Sequence, residues 1–129
     1  MVVPRDPDGD GPQGKVQPMP PRFLGEFEQM VLLAVLQLKE DANAVPILRE
    51  LDARAGRTVS RGTLYKTLER MEAKGLVAWT AEEGPPERGG HPRRVFRVTG
   101  PGMQALLESR EAFLRLWEGL DGAVEGAEP

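Results

Sequence analysis

The run from Ser60 to Val77 constrains this chain more than any other part of it. Leu64, Leu68 and Met71 recur at i, i+4 and i+7, which is one apolar stripe of a helix. Ser60 stands where an N-cap hydroxyl can accept from an otherwise orphan backbone N–H of the first turn. Gly75, just past Lys74, can take the left-handed conformation that closes a helix. The face opposite the stripe carries Arg61, Thr63, Tyr65, Lys66, Thr67 and Arg70, and no carboxylate precedes Glu69. The period then changes. Val77 and Trp79, and later Arg93-Arg94-Val95-Phe96-Arg97-Val98-Thr99, read as two short strands. The segment between them, Glu82 to Pro92, is too rich in glycine and proline to be anything but a loop.

A donor-faced helix followed by a hairpin with a basic rim is the layout of a winged helix-turn-helix. Its helix enters a major groove and its loop touches the neighbouring backbone. Charge points the same way. Residues 57–97 hold nine Lys/Arg against five Glu, a local balance of +4 in a chain whose total is -3. Basic charge is concentrated in one region, although the whole chain is mildly acidic.

The same residues resemble the PadR family of bacterial transcriptional regulators. The likeness is carried by Ser60-x-Gly62-Thr63-Leu64-Tyr65-x-Thr67-Leu68-x-Arg70-Met71-Glu72-x-Lys74-Gly75-Leu76-Val77. It continues through Pro86-Glu87-Arg88-Gly89-Gly90 and Arg93-Arg94-Val95-Phe96-Arg97-Val98-Thr99, the wing and its entry into the last helix. It covers roughly Leu24 to Leu120. The chain departs from the family at Asn43-Ala44, where PadR-like sequences usually have an aromatic residue and a glycine. The resemblance implies a homodimer that represses transcription from a two-fold operator.

Around that centre the chain divides into four parts. Residues 1–22 contain six prolines and little to bury, and read as a disordered arm. Asp6, Asp8 and Asp10 argue against its following a DNA groove. Residues 23–99 form the winged domain. Its first helix, Leu24 to Leu38, has Phe27, Met30, Val31, Ala34, Val35 and Leu38 on a wide apolar face, with Glu26 and Glu28 at the positive end of its dipole. Its second starts at an Asn43 cap with Pro46 in the first turn, buries Ile47, Leu48, Leu51 and Ala55, and ends at Gly56. Arg57-Thr58-Val59 is the turn. Residues 100–120 form the last helix, capped by Thr99. Met103, Leu106, Arg110, Phe113, Trp117 and Leu120 follow at spacings of three and four, widened by Leu107 and Leu114. A winged domain spends its core on three helices, so this surplus stripe calls for a second copy; packing back onto its own domain is the alternative. Residues 121–129 read as a flexible acidic tail.

The expected fold is therefore mainly α with a small β-hairpin: a winged helix-turn-helix plus a C-terminal dimerisation helix. The candidate DNA contacts are Ser60, Arg61, Thr63, Tyr65, Lys66, Thr67 and Arg70 on the helix, and Arg88, Gly89, Gly90, His91, Arg93 and Arg94 on the wing. Arg61, Thr63 and Tyr65 at the front of the helix are placed to reach base edges and phosphates, and Lys66 and Arg70 to reach phosphate. Arg88, Arg93 and Arg94 are placed to anchor the wing with His91 at a phosphate, and Gly89-Gly90 to let the wing tip approach a backbone closely. Tyr65 has a rival role, half-buried within the domain. Phe113 and Trp117 have two roles open to them. They are large dimer-core residues or, as the resemblance implies, part of an interfacial cavity for a small, flat, apolar effector.

Other chemistry finds little support. The chain has no cysteine, which removes disulfides, thiolate metal sites and thiol catalysis. The lone His91 has no neighbouring nucleophile to activate. No catalytic residue, metal site or cofactor is expected. The longest apolar run, Met30 to Leu36, is far below a membrane span, and the N-terminal residues lack an apolar signal core, so the expected location is the cytoplasm. A winged-helix module that binds a protein and never touches DNA is the alternative function.

Overall fold

The computed structural model describes residues 24–83 and 92–126. The proline-rich arm and the wing-tip residues Arg88, Gly89, Gly90 and His91 lie outside the described residues. The order of elements is α1 (Glu26–Leu38), a 3₁₀ turn (Lys39–Asp41), α2 (Ala44–Ala55), α3 (Arg61–Ala73), β1 (Val77–Glu82), β2 (Arg93–Val98), α4 (Gly100–Trp117) and a short α5 (Asp121–Glu125).

Helix α1 is anchored by a carboxylate folded back on its own start. Glu28, third residue of the helix, accepts from the Gly25 N–H at 3.1 Å, so it satisfies the N-cap donor that the first turn leaves free. Val31, Leu32, Ala34 and Val35 form its buried face. The helix stops at Lys39, whose φ of 54° and ψ of -120° are unusual for a residue with a side chain. Helix α2 begins at Asn43, but no side-chain cap forms there. The Asn43 amide donates instead to the carbonyl of Arg94, 3.2 Å away, and so ties the start of α2 to the wing. Ile47 and Leu51 are buried as the stripe requires, and Ala44 joins them; Leu48 is half-buried and Ala55 is exposed. Ala55 is the last residue of α2. Gly56 closes it in the left-handed conformation, with φ 63°.

Helix α3 packs Leu64, Leu68 and Met71 into the core, and Ser60 accepts from the Thr63 N–H at 3.1 Å as its cap. Gly75, with φ 78°, turns the chain into β1. The two strands pair antiparallel, from Val77 opposite Val98 to Glu82 opposite Arg93. Period-two alternation sends Phe96 into the core and its neighbours outward. The Phe96 N–H also donates to the Ala42 carbonyl at 2.9 Å, so the α1–α2 connection flanks the hairpin.

Thr99 joins three elements. Its hydroxyl donates to the Gly75 carbonyl at 2.6 Å and accepts from the Gly102 N–H at 3.1 Å, while its own N–H bonds the Leu76 carbonyl at 3.1 Å. Helix α4 therefore leaves at a set angle. Its first turns bury Gly102, Ala105, Leu106 and Ser109 against the domain, and the Ser109 hydroxyl accepts from the Leu24 N–H. Beyond Ser109 the helix projects away. It ends at Trp117, three residues short of the sequence expectation, because Glu118 leaves helical geometry and Gly119 adopts φ 80°. The acidic tail then makes one more turn, α5.

Candidate nucleic-acid interface

The outward face of α3 is the centre of the candidate site. With Leu64, Thr67, Leu68 and Met71 facing the core, the helical period turns Gly62, Tyr65, Lys66 and Glu69 the other way, at i, i+3, i+4 and i+7. Tyr65 is half-buried, and its ring forms part of a groove wall; Lys66 and Glu69 are exposed.

This face stands between two basic grooves. Toward the wing, Arg49, Arg61, Arg93 and Arg94 line a groove with Asn43, Tyr65 and Glu69, four cations against one carboxylate. The Arg94 guanidinium lies 4.4 Å from the centre of the Trp79 ring, a cation–π contact that restricts its rotamers. Toward α1, Arg57, Lys66 and Arg70 line a second groove with Phe27 and Thr63. Arg57 lies over Phe27 at 5.2 Å and 3.5 Å from Glu26. No acid lines this second groove among the described residues. Two positive channels beside an exposed helix face suit the two phosphate backbones that border a major groove.

Several expected contacts are placed differently. Thr67 is 3% exposed and lies on the buried stripe, three residues after Leu64 and four before Met71. It packs in the core and only borders the second groove, so it is not on the exposed donor face. The Ser60 hydroxyl is occupied by capping and by donating to Thr63 Oγ1 at 3.0 Å. Arg70 is half-exposed but paired with Glu28 at 3.6 Å, as is Lys74 at 3.2 Å. Glu28 itself is buried. Burial pushes its carboxyl up, but the Gly25 N–H, Lys74 and Arg70 together outweigh that and hold it below the ordinary glutamate value. Arg70 therefore helps to fix α3 onto α1. Arg61, Thr63, Tyr65, Lys66, Arg93 and Arg94 share one side of the domain.

Two residues on this side of the domain were not among the expected contacts. Arg49 lies on α2, before the basic stretch begins, and only the fold brings it to the wing-side groove. Gly62 is the other. A Cβ built there meets nothing nearer than Ser60 Oγ at 3.9 Å, so the protein's own packing does not require a glycine.

A second surface lies on α4. Leu106 is buried in the domain's own core, because the first two turns of α4 pack on the winged domain. It leaves the expected seam. Met103, Leu107, Phe113, Leu114, Trp117 and Leu120 are exposed, as is Arg110, and Leu116, which the heptad pattern omits, is 73% exposed. Among the described residues no group of three or more His, Asp and Glu side chains is gathered to hold a metal, and no helix is long and apolar enough to cross a membrane.

Comparison with known proteins agrees with this geometry. The model of the transcriptional regulator PadR-like family matches residues 32–108, from within α1 to within α4. A transcriptional regulator of Mycobacterium tuberculosis is 45% identical over 64 residues, which span 50% of this chain and 56% of that protein. The match thus covers little more than half of the relative's length. Among solved structures, a PadR-like transcription factor from Bacteroides fragilis is 30% identical, with a TM-score of 0.61 over 75% of this chain and 88% of its own. A PadR family transcriptional regulator from Eggerthella lenta is 29% identical, with a TM-score of 0.58 over 79% and 88%. Motif, fold and these matches coincide on the same residues, and the chain belongs to the PadR-like family of transcriptional regulators.

Proposed function

We propose that this regulator is a cytoplasmic homodimer that binds double-stranded DNA at a two-fold operator and represses transcription. The observation that carries the reading is the outward face of α3 between two basic grooves. A helix so flanked can place its exposed side chains on base edges while Arg49, Arg93 and Arg94 on one side and Arg57 and Lys66 on the other meet phosphates. The contacts expected from sequence for Arg88, Gly89, Gly90 and His91 belong to the same reading.

The dimer is supported by α4. An 18-residue helix that leaves Met103, Leu107, Phe113, Leu114 and Trp117 exposed along one side presents an apolar stripe of the kind that marks a protein interface. Pairing through this seam, in which Arg110 holds a central position, would present two copies of α3 to successive turns of one DNA face, which lie about 34 Å apart. Phe113 and Trp117 stand in the seam, so a flat apolar effector that alters the pairing would be held there.

Sequencing of genomic DNA retained by the full-length protein tests the whole reading. Enrichment of a site with two inverted halves about one helical turn apart is the expected result. No enrichment by folded dimer at low salt would overturn it in favour of a protein-interaction module.

A further inference from the structure

We infer that Glu69 is a specificity-determining residue that reads a cytosine in each half of the operator; the inference rests on the DNA-binding reading above. Glu69 follows Gly62 by seven residues, so it lies on the same exposed line of α3, about 10 Å further along the axis. It shares the wing-side groove with Arg61, Tyr65, Arg93 and Arg94, and it is the one acid lining that groove among the described residues. The ion pairs of the described residues leave it out: Arg70, its neighbour in sequence, turns to Glu28, and Arg94 stacks on Trp79.

A carboxylate here opposes the function of everything around it. It is repelled by phosphate and lowers the affinity that the arginines supply. It also has acceptors only, so it needs a donor on the DNA. In the major groove, guanine offers two acceptors, and thymine an acceptor and a methyl. Adenine offers one donor beside an acceptor, which would face the second carboxylate oxygen. Cytosine presents its N4 amino group without an adjacent acceptor of its own. A carboxylate on the reading face thus favours cytosine and penalises every other base, and it suppresses attachment to DNA that lacks the site. The chain's concentrated basic charge makes such a penalty useful.

The test is selection from a randomised duplex pool by the full-length protein, comparing wild type, Glu69→Gln and Glu108→Gln. The last removes one negative charge from α4, away from α3. Glutamine keeps the size of the side chain but adds donors, and pairs best with adenine. The expected result is a cytosine at one position per half-site for wild type and Glu108→Gln. In Glu69→Gln that preference falls about tenfold or more, with adenine gaining, and binding to random DNA tightens. A site recovered by all three proteins with identical preferences at every position would overturn the assignment while leaving DNA binding intact. A wild-type protein that selects no site would overturn both.

Discussion

Gly102 is the residue on which the junction of the winged domain and α4 depends, and Gly102→Ala should damage the fold although alanine is the better helix former. A Cβ at this position falls 2.1 Å from the Leu76 carbonyl oxygen, 2.9 Å from Val98 Cγ1 and 3.0 Å from the Leu76 carbonyl carbon. Ordinary contact requires roughly 1 Å more, and Leu76 cannot supply it. Its carbonyl accepts from Thr99, its N–H donates to Met71, and its side chain lies in the core. Helix α4 must retreat instead, which lifts Ala105 and Leu106 from their packing and stretches the Thr99 cap. Overpacking of this kind costs about 1–3 kcal/mol or more, while replacing glycine within a helix returns about 0.5–1 kcal/mol. A net loss of roughly 1–2 kcal/mol lowers the melting temperature by about 4–8 °C per kcal/mol in a domain of this size. Thermal unfolding followed by circular dichroism measures it. Gly100→Ala is the control, since a Cβ there meets nothing within 4 Å. Equal melting temperatures for the two variants would refute the close approach of α4 to Leu76. A retreat of α4 also changes the angle at which two copies present α3, so binding to a two-half operator should suffer more than binding to one half.

Three further outcomes are expected. Gly62→Ala should leave thermal stability unchanged or slightly raised, because its Cβ has room, yet weaken operator binding in a mobility-shift titration; unchanged affinity would mean that DNA does not approach the helix there. Lys39→Gly should raise stability to urea by about 1 kcal/mol, since a side chain at φ 54° and ψ -120° costs about 1–3 kcal/mol, partly offset by the freedom of glycine in the unfolded chain. Glu28→Gln should change the acid limb of stability. The folded carboxyl titrates below its unfolded value, so its contribution is complete above the ordinary glutamate pKa of about 4.3 and disappears as pH falls through the lower folded value. The variant should be less stable at neutral pH and should lose less on acidification; parallel curves for both proteins would show that Glu28 is not held by its partners.

Much of this architecture was legible because local chemistry and tertiary packing agree. Ser60, the stripe of Leu64, Leu68 and Met71, and Gly75 bound α3 from its own residues, and the change from helical to alternating period marks the hairpin. The misplacements share one cause: they depend on contacts between segments distant in sequence. Thr67 looks like a donor-face residue until the core that it lies against is known. Asn43 looks like a cap until β2 arrives to take its amide. Leu106 fits a dimer heptad, but the first turns of α4 have a nearer partner in their own domain. A buried glutamate such as Glu28 has no local signature, since its cations come from 42 and 46 residues later in the chain. Arg49 reaches the candidate site by the same route.

The arrangement around Thr99 ties these features to regulation. The turn that follows α3, the end of β2 and the first turn of α4 meet within one set of hydrogen bonds: Gly75 and Leu76 on one side, Gly102 on the other, Thr99 between them. Recognition helix, wing and projecting helix therefore hold one relative orientation, and a shift of α4 cannot be absorbed at a loose linker. The same end of α3 is also held by Lys74 and Arg70 on Glu28, so α3 is clamped to α1 as well. A clamped reading face favours operators of one spacing. In the proposed dimer, a change in how two copies of α4 pair would be passed through the Thr99 bonds to both α3 faces.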